Sequence, residues 1–346
     1  MAVKSDKVIL KVQDLKKYFP IKKGLFKKVV GHVKALDGIS FFVHQGETVG
    51  VVGESGCGKT TAGRCIIRVM DPTSGQIEYL WNGQMVDLLS LDKRDMKEVR
   101  KEIQMIFQDP FSSLDPRMAI KDLVAEPLYI HKIGTREERY ERVKELLGYV
   151  GLGAEHLNRY PHEFSGGQRQ RIGIARALAL NPKLVVCDEP VSALDVSVQA
   201  QVINLLADLQ QQFQLTYLFI SHDLSLVEHA SDRIIVMYLG EIVEMAPSQA
   251  LYTSPQHPYT EALLQAIPIA DPRLQRTYRP LEGDVPDPSN PPPGCKFHTR
   301  CPYAQDKCSR ERPLLRELQG NAGHFVACHR AEELSLTGIY SQAQTG

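Results

Sequence analysis

Gly53-Glu54-Ser55-Gly56-Cys57-Gly58-Lys59-Thr60 is the stretch of this 346-residue sequence that decides its fold. It matches the pattern G-x-x-x-x-G-K-[ST], a loop that cradles the phosphates of a nucleoside triphosphate. The apolar run 48–52 before it predicts a buried strand, and residues 61–70 after it predict a helix. Strand, loop and helix form the context that the motif requires. A glycine-rich turn that binds nothing is the alternative, and the loop alone does not exclude it.

The residue types of this loop suit phosphate binding. Glycines let backbone N–H groups turn toward one point, and the start of the helix adds positive potential there. Lys59 is expected to reach the outer phosphates, and the Thr60 hydroxyl to hold Mg²⁺. The predicted nucleotide-binding residues are Gly53, Glu54, Ser55, Gly56, Cys57, Gly58, Lys59, Thr60 and Thr61.

The composition is that of a soluble globular protein with about two domains. Hydrophobic residues make up 43% and charged residues 24%, and the formal net charge is +0, which does not favour nucleic acid as a partner. No run approaches the ~20 apolar residues that span a bilayer, and the first residues lack the apolar core of a signal peptide. We therefore expect a cytosolic protein. Residues 1–34 hold ten Lys and two Asp, which indicates a solvated hairpin or, alternatively, a strip facing anionic lipid headgroups or a basic partner surface.

A helix with an approachable N-terminus is predicted to begin at Ser165. Ser165 is a favourable N-cap residue, and Gly166, Gly167 and Gln168 follow it without an acidic residue in the first turn. Such a helix start suits an anion that docks from outside the chain. An ordinary capped helix is the alternative. The surrounding residues 117–180 are predicted to be mostly helical and to form a subdomain beside the main sheet.

Two carboxylates end the apolar strand predicted at 183–190. Ligands bind at the C-terminal ends of strands in parallel α/β sheets. Asp188 is therefore expected to hold Mg²⁺ through its water shell, and Glu189 to polarise an attacking water. His222 lies beyond the end of the next predicted strand, 216–220, a position from which an imidazole could reach a γ-phosphate; a structural histidine is the alternative.

Four of the seven cysteines lie near the C-terminus, at Cys295, Cys301, Cys308 and Cys328. They follow residues 268–293, where eight of 26 residues are Pro, a composition that predicts an extended linker. In a reducing compartment, four thiolates in a short segment indicate a metal site more than disulfides. Their spacing is wider than that of typical zinc ligands and favours a [4Fe–4S] cluster over Zn²⁺. Four buried thiols are the alternative, and His298, His324 or His329 are possible substitute ligands.

Taken in order, several of these elements resemble the motifs of the ATP-binding subunits of ABC transporters. The resemblance covers about residues 8–265 and rests on Gly53–Thr60, Gln108, Ser165–Gln168, Asp188-Glu189, Asp195 and His222. The segments Phe107–Pro110 and His257–Thr260, and Pro291–Cys295 with the later cysteines, are similar to the dipeptide/oligopeptide importer branch. The resemblance implies an α/β fold, with a P-loop NTPase core of ABC type, an antiparallel β subdomain and a helical subdomain at about 109–180. It also implies two domains, an ATPase domain at 1–265 and a Pro-rich linker with a Cys-rich extension at 266–346.

The same resemblance implies a role for each matching residue. Lys59 and the loop amides bind ATP, while Thr60, Gln108 and Asp188 hold Mg²⁺. Glu189 is the general base, and His222 holds the γ-phosphate. One aromatic of the pair Tyr18-Phe19 stacks on adenine, and the spacing usual in the family favours Phe19. Ser165, Gly166, Gly167 and Gln168 cap ATP bound to a partner subunit, and the four C-terminal cysteines carry a [4Fe–4S] cluster.

The function implied by this resemblance is ATP hydrolysis that drives a membrane importer of dipeptides or oligopeptides. The expected partners are a homologous but non-identical ATPase subunit, two transmembrane permease subunits and, through the complex, a substrate-binding protein. The expected location is the cytoplasmic face of the cell membrane, as a peripheral subunit. A soluble ABC-type ATPase acting on DNA or the ribosome is the alternative. The single phosphate loop and the absence of sustained heptads weigh against it, because such proteins usually carry two ATPase halves or a coiled coil.

Overall fold

A computed structural model describes residues 6–24, 26–109, 113–267, 281 and 283–339. In those ranges the strands are β1 (Val8–Lys23), β2 (Lys28–His44), β3 (Thr48–Val52), β4 (Ser74–Trp81), β5 (Gln84–Asp87), β6 (Ile103–Ile106), β7 (Leu184–Asp188), β8 (Thr216–Ile220), β9 (Arg233–Tyr238), β10 (Glu241–Pro247), β11 (Arg316–Glu317) and β12 (Phe325–Val326). The α-helices are α1 (Lys59–Ile66), α2 (Lys93–Val99), α3 (Ile120–Ile130), α4 (Arg136–Tyr149), α5 (Gly166–Leu178), α6 (Val196–Phe213), α7 (Leu224–Ala230), α8 (Ser248–Thr253), α9 (Pro258–Gln265) and α10 (Asp306–Arg310).

The chain divides into two compact units, each assembled from three separated segments. The described residues within 1–10, 43–48 and 78–220 form the first unit, and those within 11–42, 49–77 and 221–346 form the second. The domain boundary predicted at 265/266 falls inside the second unit. Residues 268–280 and 282 of the predicted Pro-rich linker lie outside the described residues, so the division into an ATPase domain and an extension stays a prediction.

The first unit contains three parallel strands and a group of helices. β7 lies between β6 and β8, with Leu184 opposite both Ile103 and Thr216. Every residue of β7 and β8 is buried, as expected of strands covered on both faces. The helices α3, α4 and α5 pack against one another within the range predicted as the helical subdomain.

The second unit contains the strand that leads into the phosphate loop. β3 pairs in parallel with β9, with Val49 opposite Arg233, and β9 pairs antiparallel with β10. The C-terminal segment extends this sheet, because β12 pairs with β10 and β11 pairs with β12. β11 and β12 are therefore joined by backbone hydrogen bonds to the sheet that contains β3, the strand before the loop.

β1 and β2 contain most of the Lys-rich stretch for which the sequence indicates a solvated hairpin. Residues 21–23 and 28–33 lie in these two long strands, which pair with each other. The physical reason is that strand pairing uses backbone groups, so exposed positions of a strand tolerate lysine. No helix within the described ranges is long and apolar enough to cross a lipid bilayer.

Candidate nucleotide site

The phosphate loop joins the buried strand β3 to helix α1, as the motif predicts. Gly53, Gly56 and Gly58 all have positive φ, of 150°, 81° and 109°. A Cβ added to Gly58 would lie 2.2 Å from the Ala35 carbonyl oxygen, and one added to Gly53 would lie 2.2 Å from the Met237 carbonyl oxygen. Glycine is required at both positions because the loop approaches neighbouring backbone closely.

Lys59 lies across this loop. Its ammonium donates to the carbonyl oxygens of Gly53 at 2.7 Å and Glu54 at 3.0 Å, and its side chain is buried. Helix α1 begins at Lys59 with Gly58 as a left-handed N-cap, and no side chain caps it. A helix start of this kind offers backbone donors and positive potential to an anion.

Glu54 of the loop is held by Arg300 and Tyr259, for which the sequence predicted no role at the nucleotide site. Both carboxylate oxygens accept hydrogen bonds from the Arg300 guanidinium, at 2.8 and 3.0 Å. The Glu54 backbone N–H donates to the Tyr259 hydroxyl at 2.9 Å. Arg300 lies 246 residues away in the chain, and no motif marks it; the only signal was its place beside Cys301.

The two adjacent aromatics of β1 have different surroundings. The Tyr18 hydroxyl donates to Asp37 at 2.5 Å, and burial together with that carboxylate raises the pKa of Tyr18 to about 12. The Phe19 ring is 37% exposed, and the Lys17 ammonium lies 5.2 Å from its centre. Successive side chains of a strand point to opposite faces. The Tyr18 hydroxyl is therefore hydrogen-bonded to Asp37, while the Phe19 ring on the other face is accessible.

In the first unit the structure brings Gln108 and Glu189 together. The Gln108 side-chain N–H donates to a Glu189 carboxylate oxygen at 2.8 Å. Glu189 has a φ of 46°, an uncommon left-handed conformation for a non-glycine residue, and its N–H donates to the Ile220 carbonyl at 2.9 Å. Asp188, the last residue of β7, is completely buried.

The predicted helix start at Ser165 is also present in the first unit. The Ser165 hydroxyl accepts from the Gln168 N–H at 3.4 Å, and the Gln168 side chain accepts from the Ser165 N–H at 3.1 Å. These reciprocal bonds form a capping box. Ser165 is exposed, and a Cβ on Gly167 would lie 2.4 Å from Val198, so this glycine permits close packing of the two helices.

His222 lies in the second unit, between β8 and α7, and is exposed. The preceding residue, Ser221, donates its N–H to the Val51 carbonyl at 3.1 Å. Val51 belongs to β3, the strand that ends at the phosphate loop. The segment that carries His222 is therefore attached to the strand before the loop.

The four C-terminal cysteines line one small pocket of the second unit. Among them, Cys295, Cys301 and Cys328 each accept a hydrogen bond from the backbone N–H two residues later. Burial raises the pKa of Cys295 to about 12 and that of Cys301 to about 11. Within the described ranges, no three His, Cys, Asp or Glu side chains form an arrangement that could hold a metal ion. The predicted [4Fe–4S] cluster therefore stays a prediction.

Comparison with solved structures defines the class of protein. The chain resembles dimeric MJ0796, a bacterial ABC transporter cassette, with a TM-score of 0.60 and 28% identity over 69% of this chain and 99% of that one. A post-hydrolysis dimer of MJ0796 bound to ADP and Pi gives a TM-score of 0.60 at 29% identity, with the same coverage. The family model described as ABC transporter matches residues 36–192. The fold is that of an ABC ATPase.

Similar sequences narrow the class. The oligopeptide transport ATP-binding protein AppF of Bacillus subtilis is 56% identical over 95% of this chain and 99% of its own length. OppF of Salmonella typhimurium, with the same description, is 50% identical over 96% and 99%. The family model for the oligopeptide/dipeptide transporter C-terminal region matches residues 243–308. The chain belongs to the family of oligopeptide ABC transporter ATP-binding proteins and is an ATPase.

Proposed function

We propose that this chain is the ATP-hydrolysing subunit of a membrane importer for dipeptides or oligopeptides. The observation that carries the proposal is similarity over nearly the whole chain to AppF and OppF, both described as oligopeptide transport ATP-binding proteins. The subunit acts at the cytoplasmic face of the membrane with two transmembrane permease subunits and, through them, a substrate-binding protein. An ATPase acting on DNA or the ribosome gains no support from these relatives.

Nucleotide binding is assigned to the loop at 53–61 and to Phe19. The amides of the loop and Lys59 bind the phosphates, and the buried Lys59 ammonium already lies over the loop. Phe19 stacks on adenine, and its exposed ring supports that choice over Tyr18. His222 contacts the γ-phosphate. This assignment is supported by the hydrogen bond from the Ser221 N–H to Val51 of β3, which attaches the residue before His222 to the strand that leads into the loop.

Hydrolysis is assigned to Glu189 as the general base that takes a proton from the attacking water. Mg²⁺, when bound, neutralises charge that develops on the phosphates. The residues that would hold it are Thr60 and Gln108, which supply the oxygen donors that this ion prefers, and Asp188, through the water shell of the ion. The donation from the Gln108 amide nitrogen to Glu189 leaves the carbonyl oxygen of that amide as its metal-binding end.

A second subunit completes each ATP site. Ser165, Gly166, Gly167 and Gln168 cap ATP that is bound to the loop of a homologous, non-identical ATPase. An exposed helix start that carries no acidic side chain in its first turn supports this role. ATP contacts both subunits only when they are closed, so hydrolysis favours their separation.

We also propose that Cys295, Cys301, Cys308 and Cys328 bind a metal centre, with a [4Fe–4S] cluster preferred over Zn²⁺. Thiolates are ligands for both. Support comes from the shared pocket and from the three backbone N–H groups directed at sulfur, since such donors stabilise thiolate charge. When bound, either centre cross-links the short segments that carry these cysteines.

The shared-site proposal is tested by measuring ATP turnover at several protein concentrations. The isolated chain should hydrolyse ATP slowly, and co-expression with the permease subunits and the homologous ATPase should raise the rate. Full turnover by the dilute chain alone would contradict it. For the cysteines, anaerobic purification should yield a coloured protein with iron and acid-labile sulfide. Colourless protein with stoichiometric zinc would select the other metal, and protein with neither would end the proposal of a metal centre.

A further inference from the structure

Arg300, in the C-terminal segment, is tied to the phosphate loop by a bidentate ion pair. Its two terminal nitrogens donate to separate oxygens of Glu54 at 2.8 and 3.0 Å. The Arg300 side chain is 6% exposed and that of Glu54 is 27% exposed. A fork-to-fork pair with this burial is stronger and more directional than a solvent-exposed ion pair.

Glu54 is fixed at its side chain and at both of its backbone groups. The side chain is bound by Arg300, the N–H donates to the Tyr259 hydroxyl at 2.9 Å, and the carbonyl accepts from Lys59 at 3.0 Å. Tyr259 in turn packs against Phe297, with ring centres 5.3 Å apart. The second residue of the loop is thus positioned largely by residues from 259 to 300, far from it in sequence.

The ion pair between Arg300 and Glu54 affects nucleotide binding because it neutralises a negative charge in the phosphate loop. A carboxylate in a loop that receives phosphates repels them, and interactions between partly buried charges at short range are large. Arg300 compensates the Glu54 charge and directs it toward the C-terminal segment. Without the guanidinium, the carboxylate is uncompensated and its rotamer is no longer restrained.

We propose that Arg300 is a positioning residue for nucleotide binding, acting through Glu54 on the conformation and electrostatics of the phosphate loop. The inference rests on the proposed assignment of that loop to ATP phosphates. It makes part of the C-terminal segment a component of the nucleotide site.

The test compares four full-length variants, Arg300→Ala, Arg300→Lys, Glu54→Ala and the double variant Glu54→Ala with Arg300→Ala. Affinity for AMP-PNP is measured by calorimetry, and KM and kcat for ATP in the assembled ATPase. Arg300→Ala should weaken binding about tenfold, which corresponds to about 1.4 kcal/mol, and should raise KM with little change in kcat. Arg300→Lys should recover only part of the affinity, because an ammonium cannot form the bidentate pair. The double variant should bind no more weakly than Glu54→Ala alone, because Arg300 acts through Glu54.

Arg316→Ala is the matched control. Arg316 forms a similar bidentate pair with Glu332, at 2.6 and 2.8 Å, in the same C-terminal segment but with both side chains exposed. This variant should bind AMP-PNP like the wild type. If folded Arg300→Ala also does so, or if the double variant shows the sum of the two single losses, the inference is wrong.

Arg300→Lys and one further variant, Lys59→Ala, keep the outcomes distinct. If Arg300→Ala does not fold, wild-type affinity in Arg300→Lys would overturn the inference, and a partial loss would support it. Lys59→Ala tests the underlying assignment of the loop. If Lys59→Ala binds AMP-PNP like the wild type, the assignment of the loop to ATP phosphates is wrong. If Lys59→Ala loses binding while Arg300→Ala binds normally, only the proposed role of Arg300 is wrong.

Discussion

Among the described residues, the glycine-rich starts of helices α1 and α5 differ in how their backbone donors are capped. Helix α1 follows the loop Gly53–Gly58 and has no side-chain cap at its N-terminus. Helix α5 follows Ser165 and carries a capping box formed by Ser165 and Gln168. The loop before α1 is covered by the buried Lys59 and held in place through Glu54 by Arg300 and Tyr259. Helix α5, in contrast, begins after the exposed Ser165.

The difference indicates two kinds of ligand contact. A helix start without a side-chain cap leaves its backbone donors to a ligand, so α1 is suited to an anion held by the same chain. A helix start whose capping box satisfies only some of its backbone donors is stable alone and can present the remaining donors to a molecule held elsewhere. This contrast supports the proposal that each ATP is bound by the loop of one subunit and capped by α5 of another.

The largest expected effect comes from Glu189→Gln, which tests whether ATP links the two kinds of helix start. The amide keeps the size of the side chain and can still accept from Gln108, but it cannot take a proton from water. Turnover should fall by about 10²- to 10⁴-fold, while ATP binding persists and closed dimers accumulate in size-exclusion chromatography. Glu145→Gln, at an exposed residue paired with Arg142, is the control. Continued hydrolysis in Glu189→Gln would exclude this residue as the base.

The next largest effect is expected at the loop itself. Lys59→Ala should weaken ATP binding to the isolated chain by about 100-fold, because it removes charge-assisted hydrogen bonds worth roughly 3 kcal/mol. Ser165→Ala should leave that affinity unchanged if, as proposed, the helix start at Ser165 caps nucleotide bound to a neighbouring subunit. Equilibrium titration with ATP measures both. Equal losses in the two variants would mean that both helix starts act on the same chain's nucleotide.

Features within a short window of sequence could be predicted. The loop at 53–60 and the helix start at Ser165 were found from their residue pattern, because such patterns satisfy backbone groups locally. The pair Asn82-Gly83 is typical of a hairpin turn, and both residues, between the paired strands β4 and β5, have the positive φ that this turn requires. The strand expected at 216–220 has those bounds in the structure, because a continuous apolar run marks a buried strand.

Contacts between distant segments could not be predicted in this way. Arg300 and Glu54 are 246 residues apart, and Lys296 and Asp37 are 259 apart. The pairing of the two-residue strand β12 with β10 is likewise too short to leave a periodic pattern. These contacts depend on tertiary packing, so the sequence indicated a separate cysteine-rich extension but not its attachment beside the phosphate loop.

A smaller effect is expected from Ser165→Ala on stability. The substitution removes the side-chain acceptor that caps α5 and should lower the free energy of unfolding by about 1 kcal/mol. Ser165→Asn, which retains a capping oxygen, should lose much less. Urea unfolding followed by circular dichroism distinguishes them. If Ser165→Ala and Ser165→Asn are equally stable, the capping box does not stabilise α5 and the contrast with α1 is weaker than proposed.

The last prediction concerns the pH dependence of stability at Asp37, which is connected to the phosphate loop through Gly240. The Asp37 N–H donates to the Gly240 carbonyl, and the Gly240 N–H donates to the Cys57 carbonyl of the loop. Burial opposes ionisation of Asp37, but hydrogen bonds from Tyr18 and Lys296, with the nearby Lys34, lower its pKa to about 2 from the ordinary 3.8.

Because the pKa of Asp37 is lower in the folded chain, its ionised form stabilises the fold fully above about pH 4. That stabilisation should disappear as the pH falls toward 2. Asp37→Asn should therefore show a shallower loss of unfolding free energy over this acidic window and the same pH dependence as the wild type near neutrality. Urea titrations at a series of pH values measure both slopes. If the free energies of unfolding of the two proteins decrease in parallel as the pH falls, the contacts of Asp37 with Tyr18 and Lys296 do not stabilise the fold.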